Sequence, residues 1–155
     1  MASKLKVGDS IPSFTVKDSE GEMVTQDDLI GSPFVIYFYP KDDTPGCTTE
    51  ACEYRDQMEI FDDMDILVVG VSPDKAESHK KFSDKHSLNF PLLCDEKLDM
   101  AAQFGAVMPK TDGTMGIERS TYLFDDEGKV LWIEHPVKVE GHVDRVIEAV
   151  QDMME

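Results

Sequence analysis

Residues 34–71, FVIYFYPKDDTPGCTTEACEYRDQMEIFDDMDILVVGV, hold two apolar runs on either side of a helical stripe. Phe34 to Tyr39 and Ile66 to Val71 show no polar alternation, the pattern of strands covered on both faces. From about Thr48 to Met64, residues Ala51, Tyr54, Met58 and Phe61 fall at spacings of three and four, which makes one apolar face of a helix. Strand, helix, strand in this order predicts two parallel central strands joined by a crossover helix.

The flanking segments extend this unit. Residues 14 to 25, FTVKDSEGEMVT, read as two short extended pieces around Ser19-Glu20-Gly21, an N-terminal β-hairpin. Residues 74 to 86 read as a second helix opened by Ser72-Pro73-Asp74, followed by a short strand at Phe90 to Leu93. Thr121 to Phe124 and Val130 to Glu134 flank Asp125-Asp126-Glu127-Gly128-Lys129, a turn that predicts an antiparallel pair. Val143, Val146, Ile147, Val150 and Met154 keep helical spacing after Gly141-His142, so a last helix closes one face of the sheet. The expected architecture is an α/β sandwich of the thioredoxin kind, a central mixed β-sheet flanked by helices. With no repeat or linker in 155 residues and 17.4 kDa, residues 1–155 are expected to form a single domain that buries roughly 70 % of its unfolded surface.

Charge and cysteine count narrow the function. Thirty-two acidic residues against 15 basic ones give a formal net charge of −17, which repels phosphate backbones and anionic lipid surfaces. Neither nucleic acid nor membrane is an expected partner. The opening MASKLKVGDS has no apolar run of signal-peptide length, and no stretch reaches the roughly 20 apolar residues of a membrane span, so a cytoplasmic location is expected. Three cysteines, Cys47, Cys52 and Cys94, are too few and of the wrong parity for a secreted disulfide scaffold.

The chemistry concentrates in PKDDTPGCTTEAC, residues 40 to 52, between the end of a buried strand and the start of a helix. In the first helical turn, unpaired backbone N–H groups and the positive end of the macrodipole would favour Cys47 as a thiolate. Thr44, three residues upstream, carries a hydroxyl able to accept a hydrogen bond from a small substrate and to donate one. Gly46 leaves room for a small substrate, Pro40 shapes the strand exit and can shield the thiolate, and the Cys47 N–H can face a substrate oxygen. Singly, a cysteine at a helix start is an ordinary buried residue and Thr-Pro-Gly an ordinary turn. Their fixed spacing favours chemistry.

That spacing, Pro40, Thr44, Cys47, resembles the Pro-x-x-x-Thr-x-x-Cys signature of peroxiredoxins, and TPGCTTEAC is similar to the version in the bacterioferritin-comigratory or Q subfamily. The resemblance extends through FVIYFYP, VVGVSPD, FPLL at 90 to 93 and VKVEGH at 137 to 142, nearly the whole chain. It implies a thiol-dependent peroxidase of antioxidant defence acting on hydrogen peroxide and organic hydroperoxides. It also implies an active-site arginine at Arg119 in GIERSTYLF, a fixed cation that favours thiolate and hydrogen-bonds the peroxide. Glu50, three residues after Cys47, is then expected to cap the helix or hold Arg119.

Attack of the Cys47 thiolate on a peroxide leaves a sulfenic acid. The resemblance makes Cys52 the resolving cysteine, with the Cys47–Cys52 disulfide reduced by thioredoxin or a glutaredoxin-type dithiol. Five residues along a helix, at about 1.5 Å and 100° each, put the two Cα atoms roughly 8 Å apart with side chains diverging, beyond the reach of a disulfide at about 7 Å. Bridging them is therefore expected to need unwinding of the first helical turns. The resemblance also favours a monomer, and neither metal nor organic cofactor is implied.

Other residues receive plainer readings. Cys94 in FPLLCDE is expected to be a small buried side chain, with an extra resolving thiol as the alternative. His79 and His86 lack nearby ligands and are expected at the surface or half-buried, and His142 is expected to cap the last helix. Trp132 and the nine methionines read as core and surface filler. Competing functions are a thioredoxin-like dithiol oxidoreductase, which wants Cys-x-x-Cys, a metal-binding or copper-delivery module using both cysteines and a histidine, and a non-catalytic peroxide sensor.

Overall fold

A computed structural model of the chain describes residues 5–154. The N-terminal hairpin is β1 (Thr15–Asp18) and β2 (Met23–Thr25), antiparallel through Val16 opposite Val24. The central strands are β3 (Phe34–Phe38) and β4 (Leu67–Ser72), parallel with Ile36 opposite Val69. Between them run α1 (Pro45–Asp56) and α2 (Met58–Asp63). Then follow α3 (Ala76–His86), β5 (Leu92–Cys94), α4 (Asp99–Phe104), the small hairpin β6 (Val107–Pro109) and β7 (Met115–Ile117), β8 (Ser120–Phe124), β9 (Val130–Glu134) and α5 (His142–Met153).

The seven-stranded sheet has the order β2-β1-β5-β4-β3-β8-β9. The pairs β3–β4 and β4–β5 are parallel, while β1–β5, β3–β8 and β8–β9 are antiparallel. Successive β3 residues serve opposite faces, which is why the run is apolar throughout. Phe34, Ile36 and Phe38 pack with Met100, Ala101 and Phe104 of α4, whereas Val35 and Tyr37 pack with Ala51, Tyr54, Phe61, Phe82, Val143 and Val146 of the other helices. Gly70 of β4 leaves space for the neighbouring Tyr37 ring, which a Cβ would approach to 3.0 Å.

The single helix expected from Thr48 to Met64 is instead two. It starts three residues earlier, with Thr44 extended at the N-cap and Pro45 at the first helical position, where its missing N–H is harmless. It breaks at Gln57, whose φ of −101° and ψ of 6° leave the helical region. The stripe Ala51, Tyr54, Met58 and Phe61 is buried on both sides of the break, so periodicity alone cannot reveal it. The second core layer, α4, and the β6–β7 hairpin were not expected. Their segments are only three to six residues long, and α4 is capped from outside by Asp95, whose carboxylate accepts from Met100 and Ala101 N–H at 3.1 and 2.7 Å. Among the described residues, no helix is long and apolar enough to cross a membrane.

Candidate active site

Cys47 occupies the third position of α1, is 1 % exposed, and belongs to the same buried cluster as Tyr37 of β3 and its helix neighbours Ala51 and Tyr54. The Arg119 guanidinium, placed just before β8, reaches it, and Nη2 donates to Cys47 Sγ at 3.2 Å. The other terminal nitrogen, Nη1, donates to Glu50 Oε1 at 2.7 Å. One planar cation thus joins the sulfur to a fully buried carboxylate one helical turn away, the fork geometry that arginine supplies and lysine does not. A hydrogen-bonding cation at this distance stabilises negative charge on the sulfur.

Several contacts fix Arg119. Its carbonyl accepts from Val137 N–H at 2.8 Å, the preceding Glu118 N–H donates to Ala106 O at 2.8 Å, and the Glu118 carboxylate pairs with His135 Nε2. Gly46 makes room for the guanidinium, since a Cβ there would sit 3.3 Å from Nη2. Burial alone would lower the Arg119 pKa, but the negative charges of Glu50 and Cys47 hold it above its ordinary value. Burial pushes Glu50 up to about 7, against the opposing pull of Arg119. Glu50 does not cap the helix; it holds Arg119.

Thr44 spends its hydroxyl hydrogen on Lys41 O at 3.0 Å, while its carbonyl accepts the first helical bond, from Thr48 N–H at 2.8 Å. Among the described residues no hydrogen bond joins the Thr44 hydroxyl to Cys47, but its lone pairs remain available to an incoming donor. Pro40 stands exposed at the strand exit. Cys52 is half-buried on the same unbroken helix as Cys47, and all three cysteines are free thiols. Cys94 is buried, its S–H directed at Asp18 O at 3.7 Å.

Sequence reasoning missed the support beneath the turn. His79 is not at the surface but fully buried, with Nδ1 2.7 Å from Asp42 Oδ2 and Nε2 2.7 Å from Leu93 O. Both ring nitrogens face acceptors, so both carry hydrogen and the ring is an imidazolium. Burial pulls its pKa down, yet the hydrogen bond and charge of Asp42 outweigh this and raise it to about 10. Asp42 also accepts from Tyr39 OH at 2.6 Å and Ser78 Oγ at 2.8 Å, pinning residues 39–42 to α3 and β5. Asp42, Asp74 and His79 bring donor atoms within 4.8 Å of one another, but an imidazolium has no lone pair to give a metal ion. His86 is half-buried, as expected.

His142 is likewise no cap. Gly141 takes the N-cap position, and the His142 ring turns inward, fully buried, to meet Glu134, Thr121 and Tyr54. The only visible hint of either histidine's role was its position beside an apolar helical stripe, which argues for burial but names no partner.

The AhpC/TSA family matches residues 7–133. Peroxiredoxin Bcp of Bacillus subtilis is 44 % identical over 154 residues, covering 97 % of this chain and 98 % of the relative. Among solved structures, the bacterioferritin comigratory protein of Xanthomonas campestris superposes with a TM-score of 0.89 at 35 % identity, covering 97 % of this chain and 98 % of that one. A peroxiredoxin Q of Xylella fastidiosa superposes with a TM-score of 0.93 at 31 % identity, covering 99 % and 100 %. The expected thioredoxin-like fold is thereby shown. With a buried cysteine at a helix start, an arginine on its sulfur and this kinship along its length, the chain belongs to the AhpC/TSA family and is a peroxiredoxin, a thiol-dependent peroxidase of the bacterioferritin-comigratory and Q type.

Proposed function

We propose that Cys47 is the peroxide-reducing thiolate and that Arg119, Thr44, Glu50, Pro40 and Cys52 serve it. The sulfur attacks one peroxide oxygen, the S–O bond forms as the O–O bond breaks, and the leaving alkoxide or hydroxide takes a proton, giving alcohol or water and a sulfenic acid. Arg119 steadies the sulfur before attack and the charge on the parting oxygens during it. Thr44 accepts the hydroperoxide hydrogen, Pro40 bounds the approach, and Glu50 holds Arg119. The Cys52 thiolate then attacks the sulfenic sulfur, the S–S bond forms as the S–O bond breaks, the departing hydroxide takes a proton to leave as water, and the Cys47–Cys52 disulfide is reduced by two electrons from thioredoxin or a glutaredoxin-type dithiol. The substrate class is hydrogen peroxide and organic hydroperoxides; alkyl peroxide reduction is described for the Xanthomonas campestris relative. Residues 1–155 act as one domain, as a cytoplasmic monomer with no cofactor, nucleic acid or membrane partner.

The observation that carries this reading is the single guanidinium bonded at once to Cys47 Sγ and Glu50. The test is peroxide consumption by reduced protein with thioredoxin and its reductase. Wild type should turn over, Cys47→Ser should not react, and Cys52→Ser should stop after one equivalent. A wild type that consumes no peroxide would transfer the cysteines to dithiol exchange or metal binding.

A further inference from the structure

Behind Glu50 lies a polar cluster that the peroxidase reading leaves unused. Arg119 occupies Glu50 Oε1, while Oε2 is buried without a hydrogen-bond partner. Facing it at 3.7 Å is Nε2 of His142, from the first turn of α5. The far side of that ring is fixed. Nδ1 lies 3.0 Å from Glu134 Oε2, and Glu134 is itself clamped by Arg145 through Nε at 2.7 Å and Nη2 at 2.8 Å. A carboxylate only accepts, so Nδ1 carries the hydrogen and Nε2 presents its lone pair. The Thr121 and Tyr54 hydroxyls lie 2.9 and 3.1 Å from it and compete for that single lone pair.

At 3.7 Å, beyond hydrogen-bond reach, a carboxylate oxygen and an imidazole lone pair that both lack hydrogen repel, so the ring backs Glu50 toward Arg119 instead of holding it by a bond. Because Arg119 already fills Oε1, a proton on Glu50 goes to Oε2, on the side of His142. The charged and titratable groups around the pair are Arg119 before β8, Cys47, Glu53 and Tyr54 on α1, Tyr37 on β3, Glu134 on β9 and Arg145 on α5. The ring is carried by α5 and meets Glu134 of β9 and Thr121 of β8, whereas Glu50 and Tyr54 belong to α1.

We propose that His142 is a positioning residue of the peroxidase reaction: anchored by Glu134, Thr121 and Tyr54, its Nε2 sets the unpaired oxygen of Glu50 and thereby the carboxylate that holds Arg119 on Cys47. This rests on Cys47 being the reacting thiol. His142 touches neither substrate nor sulfur and acts through Glu50.

The test is the second-order rate of Cys47 oxidation by hydrogen peroxide, followed by stopped flow across pH in reduced protein. His142→Phe fills the space without either nitrogen, whereas His142→Gln keeps an acceptor near the Nε2 position. The Phe variant should slow by about tenfold or more, and the Gln variant should stay within about threefold of wild type, since small displacements of a positioning contact are felt at the reacting centre. The acid limb of the rate–pH curve should move in the Phe variant and stay put in the Gln variant. Should His142→Phe not fold, Thr121→Val removes a donor from Nε2 without touching α5, and should slow the reaction and move the same limb. Unchanged rates in the variant that folds, or equal slowing at every pH in both Phe and Gln variants, would overturn the proposal. Failure of the underlying reading looks different: peroxide would still react with Cys47→Ser.

Discussion

Arg119 meets Cys47 because residue 46 has no side chain. A Cβ on Gly46 would stand 3.3 Å from Nη2, close enough that the guanidinium must move. Gly46→Ala is therefore expected to leave the fold and thermal midpoint near wild type while slowing Cys47 oxidation by about tenfold, because the guanidinium is displaced by a few tenths of an ångström from its contact with the sulfur. Stopped-flow fluorescence with hydrogen peroxide measures this, and an unchanged rate would detach Arg119 from the reaction. Cys47, Thr44 and Gly46 were legible because they lie within four residues on one turn. Arg119 lies 72 residues from Cys47, and only resemblance brought it forward. His79 and His142 stayed illegible because their partners, Asp42, Leu93, Glu134 and Thr121, come from other elements with no local pattern to announce them.

α1 carries both Cys47 and Cys52 on an unbroken helix, so a disulfide between them requires its early turns to open. The far end is tied down. Arg55 Nη1 donates to His86 O at 2.7 Å, and Asn89 Nδ2 donates to Arg55 O at 3.3 Å, joining the end of α1 to the end of α3. Oxidation should therefore speed amide hydrogen exchange over residues 47–54 and leave α2 protected, as read by mass spectrometry on reduced and oxidised protein. Equal protection across α1 in both states would mean that the disulfide forms elsewhere or not at all. The central strands and the late hairpin were readable from length and apolar continuity, whereas the break at Gln57 keeps the burial phase and α4 has only six residues, too few for a helical period to declare itself.

Across the whole molecule, buried charges set the pH response. His79, raised to about 10, contributes stability that is complete below its unfolded pKa of about 6.5 and is lost as pH rises through about 10. Glu50 and His142 pull in opposite directions at lower pH. Glu50, raised to about 7 by burial, loses stability as pH rises from its ordinary value, while His142, lowered to about 4 by burial, gains it as pH rises through the same range. Their effects offset between roughly pH 4.5 and 6.5. The urea midpoint of reduced protein should accordingly fall from pH 6.5 to 10 more steeply in wild type than in His79→Gln; parallel slopes would place the Asp42–His79 charge pair outside the stability of the fold. The acidic chain, with a net charge of −17, adds a self-repulsion that salt relieves equally in both proteins. The most direct measurement returns to one sulfur. Reduced Cys52→Ser protein is mixed with one equivalent of hydrogen peroxide and a sulfenic-acid trap, then mapped by peptide mass spectrometry. A single adduct on Cys47, absent from the Cys47→Ser protein, is the predicted result; an adduct on Cys94 instead, or none with the peroxide still intact, would contradict the account.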